Sequence, residues 1–88
     1  IDENSFSNIS VYPNPFNTHT NVSISNAINA PNITTNIYDL AGRLIRTEAF
    51  NTQKTPAVIK KGNLEKGAYL MEIVAKGKVI AKEKLIVE

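Results

Sequence analysis

Apolar and polar residues alternate along most of this chain. Val22 and Ile24 interleave with Asn21, Ser23 and Ser25; Ile33, Thr35 and Ile37 keep one phase; Tyr69, Met71 and Ile73 share another. A period of two puts such residues on one face of a half-buried strand. No window of about eleven residues keeps the i, i+3, i+4 spacing of an amphipathic helix. The pattern predicts strands over residues 9–12, 20–25, 33–38, 43–50, 57–60, 68–75 and 79–87. The last alternates cleanly only near its end, so a bulge is expected around Lys82.

Turn formers separate these runs. Pro13 and Pro15 remove two backbone donors and fix two φ angles, which keeps residues 13–17 out of a central ladder. Residues 26–32 and 51–56 read as loops, the first closed by Pro31. Asp39, Leu40, Ala41 and Gly42 predict a hairpin turn with Gly42 at positive φ. Gly62 with Asn63, and then residues 64–67, break the chain again, and residues 76–78 make a tight connection. Residues 1–8 carry no pattern and read as a linker, which leaves 9–88 as one domain. Short strands with turn signals about every ten residues predict an all-β fold, an immunoglobulin-like β-sandwich of about seven mostly antiparallel strands. A barrel is the less favoured closure. The Cys and Trp residues of antibody domains are absent, so the likeness is one of architecture.

Composition narrows the picture. With 88 residues, 42% of them hydrophobic, the chain can hold one modest core. It has no cysteine and a single histidine, His19, which excludes disulfides, thiolate metal sites and multi-histidine sites. No run approaches the roughly 20 apolar residues of a membrane helix, so no membrane insertion of that kind is expected. The chain begins at Ile1 rather than Met, as expected of a processed product or a fragment. The formal charge of +2 hides an asymmetry: residues 51–88 carry eight Lys against four Glu. A solvated strand face accounts for this. A nucleic-acid surface would need Arg and interleaved aromatics, and Tyr69 is the one aromatic in that half.

No catalytic constellation emerges, and no cofactor is implied. His19, needed for any Ser-His-acid triad, sits in a polar stretch beside Thr18 and Thr20 and reads as a loop residue. Glu65, Glu72, Glu83 and Glu88 lie among lysines and are expected in cross-strand ion pairs. Asp39 suits turn initiation better than a calcium loop. Gly42, Gly62, Gly67 and Gly77 are isolated turn glycines rather than a phosphate loop. The Asn-X-Ser/Thr triplets at Asn8, Asn21 and Asn32 are what chance supplies with eleven asparagines. The chain is too short to enclose a substrate, so an enzyme is not expected.

Three motifs occur in order: Val11-Tyr12-Pro13-Asn14-Pro15-Phe16-Asn17, then Ile37-Tyr38-Asp39-Leu40-Ala41-Gly42-Arg43, then Leu64-Glu65-Lys66-Gly67-Ala68-Tyr69. Gly77-Lys78 and a closing Lys84-Leu85-Ile86-Val87-Glu88 follow. Together, from about Ile9 to Glu88, they resemble the type A C-terminal sorting domain of the type IX (Por) secretion system. Thr35, where that family often has a larger apolar residue, and the Glu65-Lys66 pair depart from its pattern without touching the turn glycines.

The resemblance implies a secretion signal. Such a domain directs a periplasmic cargo, covalently attached upstream, to the type IX outer-membrane translocon. A surface sorting peptidase then typically removes it, so the cargo ends at the cell surface or in the medium. On this reading cleavage falls within residues 1–8. The last strand is expected at a sheet edge, with unpaired backbone groups that a partner could extend. Leu85 and Val87 would anchor it, Lys82, Lys84 and Glu88 would face the partner, and Ile86 lies between them. Pro13, Asn14, Pro15, Tyr38, Asp39, Gly42, Arg43, Leu64, Gly67, Tyr69 and Gly77 would mainly maintain the fold that is recognised. Two other readings stand beside it. The first two motifs also resemble an Ig-like structural spacer of surface proteins, such as that of flagellar hook-capping proteins, which would tolerate residues after Val87. A carbohydrate-binding β-sandwich would want exposed Trp or Tyr, and this chain has no Trp.

Overall fold

The computed structural model describes residues 9–24, 32–51 and 57–88. The expected linker over 1–8, most of the loops over 26–32 and 51–56, and the end of the second predicted strand at Ser25 lie outside the described residues. The described chain forms β1 (Ile9–Tyr12), β2 (His19–Ile24), β3 (Asn32–Tyr38), β4 (Leu44–Asn51), β5 (Ala57–Lys60), β6 (Gly67–Ala75) and β7 (Lys78–Val87). No helix among the described residues is long and apolar enough to cross a membrane.

The strands pair antiparallel in two sheets, three-stranded β1-β2-β5 and four-stranded β4-β3-β6-β7. This is the expected β-sandwich. Side-chain alternation decides which face of each sheet turns inward. Val22 and Ile59 enter the core from the three-stranded sheet; Ile33, Ile37, Met71, Ile73, Leu85 and Val87 enter it from the other, each no more than 2% exposed. Phe16 and Leu64, from the connections, close the same cluster. Thr20 and Thr35 are the buried polar residues of the described core. Each hydroxyl finds a backbone acceptor, Thr20 the Pro13 carbonyl at 2.6 Å and Thr35 the Glu48 carbonyl at 3.4 Å. A threonine is therefore tolerated in the β3 core phase because its polar group is not left unpaired.

Three details differ from expectation. The irregularity in β7 lies at Ile80 rather than Lys82: Ala81 pairs with Ile73 and Val79 with Val74, leaving one residue over. Bulge position depends on the partner strand's register, which one strand's alternation does not carry. His19 opens β2 opposite Lys60 instead of sitting in a loop. Among the described residues, cross-strand Glu–Lys pairing does not form where it was expected. Glu72 lies opposite Lys82, yet it accepts a hydrogen bond from the Tyr38 hydroxyl at 3.2 Å. The ion pair among the described residues is Arg43 with Asp39, at 3.1 Å.

Candidate recognition site

Antiparallel registers decide which connections share an end of the sandwich. Tyr38 pairs with both Leu44 and Leu70, Gly67 with Val87, and His19 with Lys60. The end of β1, the start of β2, the β3–β4 turn, the β5–β6 connection and the end of β7 therefore gather at one pole. All three sequence motifs and the chain terminus meet there, although they are far apart in sequence. Ile9 and the β6–β7 hairpin at Lys76 and Gly77 lie at the other pole.

Residues 14–16 run along the outer edge of β7. The two peptide bonds preceding Pro13 and Pro15 are cis. Phe16 makes a parallel bridge to Val87. Its amide donates to the Ile86 carbonyl at 2.9 Å, and its carbonyl accepts from the Glu88 amide at 2.8 Å. The Asn14 side chain continues this ladder as a backbone unit would. Its Nδ2 donates to the Lys84 carbonyl at 2.6 Å, and its Oδ1 accepts from the Ile86 amide at 3.0 Å. The Phe16 ring, 2% exposed, plugs the core beneath. The expected open edge is thus closed over its last residues. Prolines, which cannot donate to a ladder, suit a segment that pairs through an asparagine side chain and one phenylalanine backbone. By alternation from Ile86, the Lys82 backbone groups point outward, beyond the reach of the Asn14 clasp.

The second motif is a self-satisfied turn. Gly42, at φ 92°, donates to the Asp39 carbonyl at 3.0 Å. Asp39 Oδ1 accepts from the Ala41 and Arg43 amides at 3.0 and 2.9 Å, and Oδ2 accepts from Arg43 Nε at 3.1 Å. The Arg43 amide bond, with help from the Ala41 amide and the guanidinium, holds the Asp39 carboxyl below its ordinary 3.8 against the opposing effect of burial. Tyr38, next door, has its phenol raised above 10.0 by partial burial and by the Glu72 carboxylate. In the third motif Leu64 is 3% exposed, and Tyr69 is buried with its hydroxyl donating to the Glu65 carbonyl at 2.6 Å. Asp39, Arg43, Asn63, Leu64, Glu65 and Tyr69 line one shallow groove, so the second and third motifs touch the same hollow.

The family model of the secretion system C-terminal sorting domain matches residues 10–88. The chain belongs to this family. A sorting domain of the type IX system marks the protein carrying it for export to the cell surface or the medium. The chain is also 34% identical, over its whole length, to part of an endo-acting ulvan lyase of Formosa agariphila. It spans 17% of that relative's length, as a tail on a much larger protein would.

Within this sorting domain, the structure separates the residues singled out on the last strand. Leu85 and Val87 are 0% and 1% exposed. Lys82, Lys84 and Glu88 are exposed, and Ile86 is half-buried. Pro13, Pro15 and Gly67 shape the pole, whereas Gly77 is at the opposite one. Sequence reading missed Arg46. Its Nη1 and Nη2 donate to the Lys60 and Lys61 carbonyls at 2.5 and 2.9 Å, tying the four-stranded sheet to the end of β5. Gly62 leaves room for it: a Cβ there would stand 2.9 Å from Arg46 Nη2. The available signal was a charged residue in the inward phase of β4, which also holds Glu48. Inward charges are one way an edge strand resists pairing with other chains.

Proposed function

We propose that this domain is read in the periplasm, in its folded state, by the type IX translocon at the outer membrane. Residues 1–8 link it to the upstream cargo, and a surface sorting peptidase removes it there after export. The observation that carries this reading is the division of the molecule into poles. The motifs and the end of β7 gather at one, and the described chain begins at the other with Ile9. Cargo attached before Ile9 then leaves the motif pole free for a partner. The fold holds the last strand in place through Leu85 and Val87, and Lys82, Lys84 and Glu88 present charge to the machinery. Electrostatic contacts of this kind steer docking and reject wrong partners more than they add affinity.

Fusing residues 1–88 behind a periplasm-directed fluorescent protein, in a bacterium with the type IX system, tests the reading. Export that requires both the translocon and residues 85–88 supports it. A folded reporter retained in the periplasm with or without those residues contradicts it. Replacing Lys82 and Lys84 together by Ser should impair export while leaving the melting temperature nearly unchanged; unfolding would refute their assignment to recognition.

A further inference from the structure

The outer face of the four-stranded sheet carries an apolar row. Register sets Leu44, Tyr38, Leu70 and Lys84 side by side, one from each strand. Leu44 is 52% exposed, Leu70 37%, and Leu40 in the adjoining turn 75%. An open groove of about 370 Å³ runs between Tyr38, Asp39, Leu40, Gly42, Leu70 and Glu72. On the three-stranded sheet the matching face is mostly polar, with Ser10, Asn21 and Ser23 beside Tyr12 and Val58.

Charge distinguishes what this row can accept. The two carboxylates at the groove are already engaged, Asp39 by Ala41 and Arg43 and Glu72 by the Tyr38 hydroxyl. Lys84, at the end of the row, has no ion-pair partner among the described residues, and neither does Lys82. The backbone edge beside Lys84 is occupied by Asn14 and Phe16, so strand addition at residues 84–88 is blocked. What remains available there is the side-chain face.

We propose that the row Leu44–Tyr38–Leu70–Lys84, with Leu40 beside it, docks an apolar segment of a partner protein that carries a carboxylate. The apolar side chains cover Leu40, Leu44 and Leu70, and the carboxylate meets Lys84. The inference rests on the sorting reading and names the surface through which that reading operates. A few desolvated apolar contacts carry most of the affinity in such interfaces, and the charge sets register.

The test uses the same reporter fusion. Leu44→Thr with Leu70→Thr removes apolar area while placing a β-branched residue suited to exposed strand positions at each site. Exported reporter should fall at least about tenfold, the equivalent of roughly 1.4 kcal/mol, with the melting transition retained. Lys84→Glu should fall comparably, and Lys84→Arg should export like the parent. Val58→Thr, on the opposite sheet, should also export like the parent. Should the double variant fail to fold, Leu40→Ser at the open turn reads the same surface. Face variants that export like the parent would overturn the docking surface and leave the sorting reading standing. A parent fusion that never leaves the periplasm would overturn both. A free chain that dimerises, and loses the dimer in the Leu44→Thr/Leu70→Thr variant, would make the occupant a second copy and overturn the proposal as well.

Discussion

The two poles of this sandwich are built on different principles. At the motif pole, connections distant in sequence are held together by specific tertiary bonds: Asn14 and Phe16 on the β7 edge, Arg46 on the carbonyls of Lys60 and Lys61. At the opposite pole, the described connection is a two-residue hairpin in which Lys76 and Gly77, at φ 53° and 77°, need nothing beyond their own strands. A local hairpin serves only to reverse the chain. The motif pole fixes the shape and charge of a surface, and on that surface the proposed reading by the translocon rests. Under the proposed reading, motif residues at that pole act chiefly through architecture, and changing them should alter stability and export together.

Substitutions can sharpen that contrast. Phe16→Ala should have the largest effect, a loss of about 3–5 kcal/mol, because it empties a buried aromatic site beneath the terminal strand. Chemical denaturation would measure it. Asn14→Ala removes two bonds to β7 from a solvent-exposed side chain and should cost about 1–2 kcal/mol. If it cost nothing, the clasp would be ornamental and the poles would not differ as described. Lys76→Asn should go the other way, stabilising the hairpin by a few tenths of a kcal/mol, since Asn tolerates a positive φ better. Its export should match the parent's.

The smallest effect concerns acid. Asp39 titrates below 3.8 in the folded chain. A depressed carboxyl contributes stability above its unfolded pKa and loses it as the pH falls through the folded value. The melting temperature should therefore decline below about pH 3.8 with a component that Asp39→Asn removes. An identical acid decline in parent and variant would show that the turn's bonds do not depend on the charge.

Strand existence and facing were legible in the chain because they are local. Ile33, Thr35 and Ile37, or Tyr69, Met71 and Ile73, announce their buried phase by alternation alone, and the structure buries all six. The turn at Asp39 and Gly42 was equally local. What alternation could not carry was pairing between segments. Nothing in residues 13–17 says that Asn14 reaches Lys84 and Ile86, so the terminal edge was expected to be open. The bulge was misplaced for the same reason, since register belongs to two strands. Arg46 was visible as an inward-phase charge, but its acceptors lie at the end of β5 on the other sheet and in the connection that follows it.

The clasp over the terminal strand is the point at which this account is most exposed. Amide hydrogen exchange on the folded chain, read residue by residue by NMR, tests it directly. The Ile86 and Glu88 amides should exchange slowly because Asn14 and Phe16 accept from them. The outward amide of Lys82, on the same edge but beyond the clasp, should exchange far faster. Ile86 and Glu88 exchanging as fast as Lys82 would mean that the edge is open, and that a partner could read the strand by extending it.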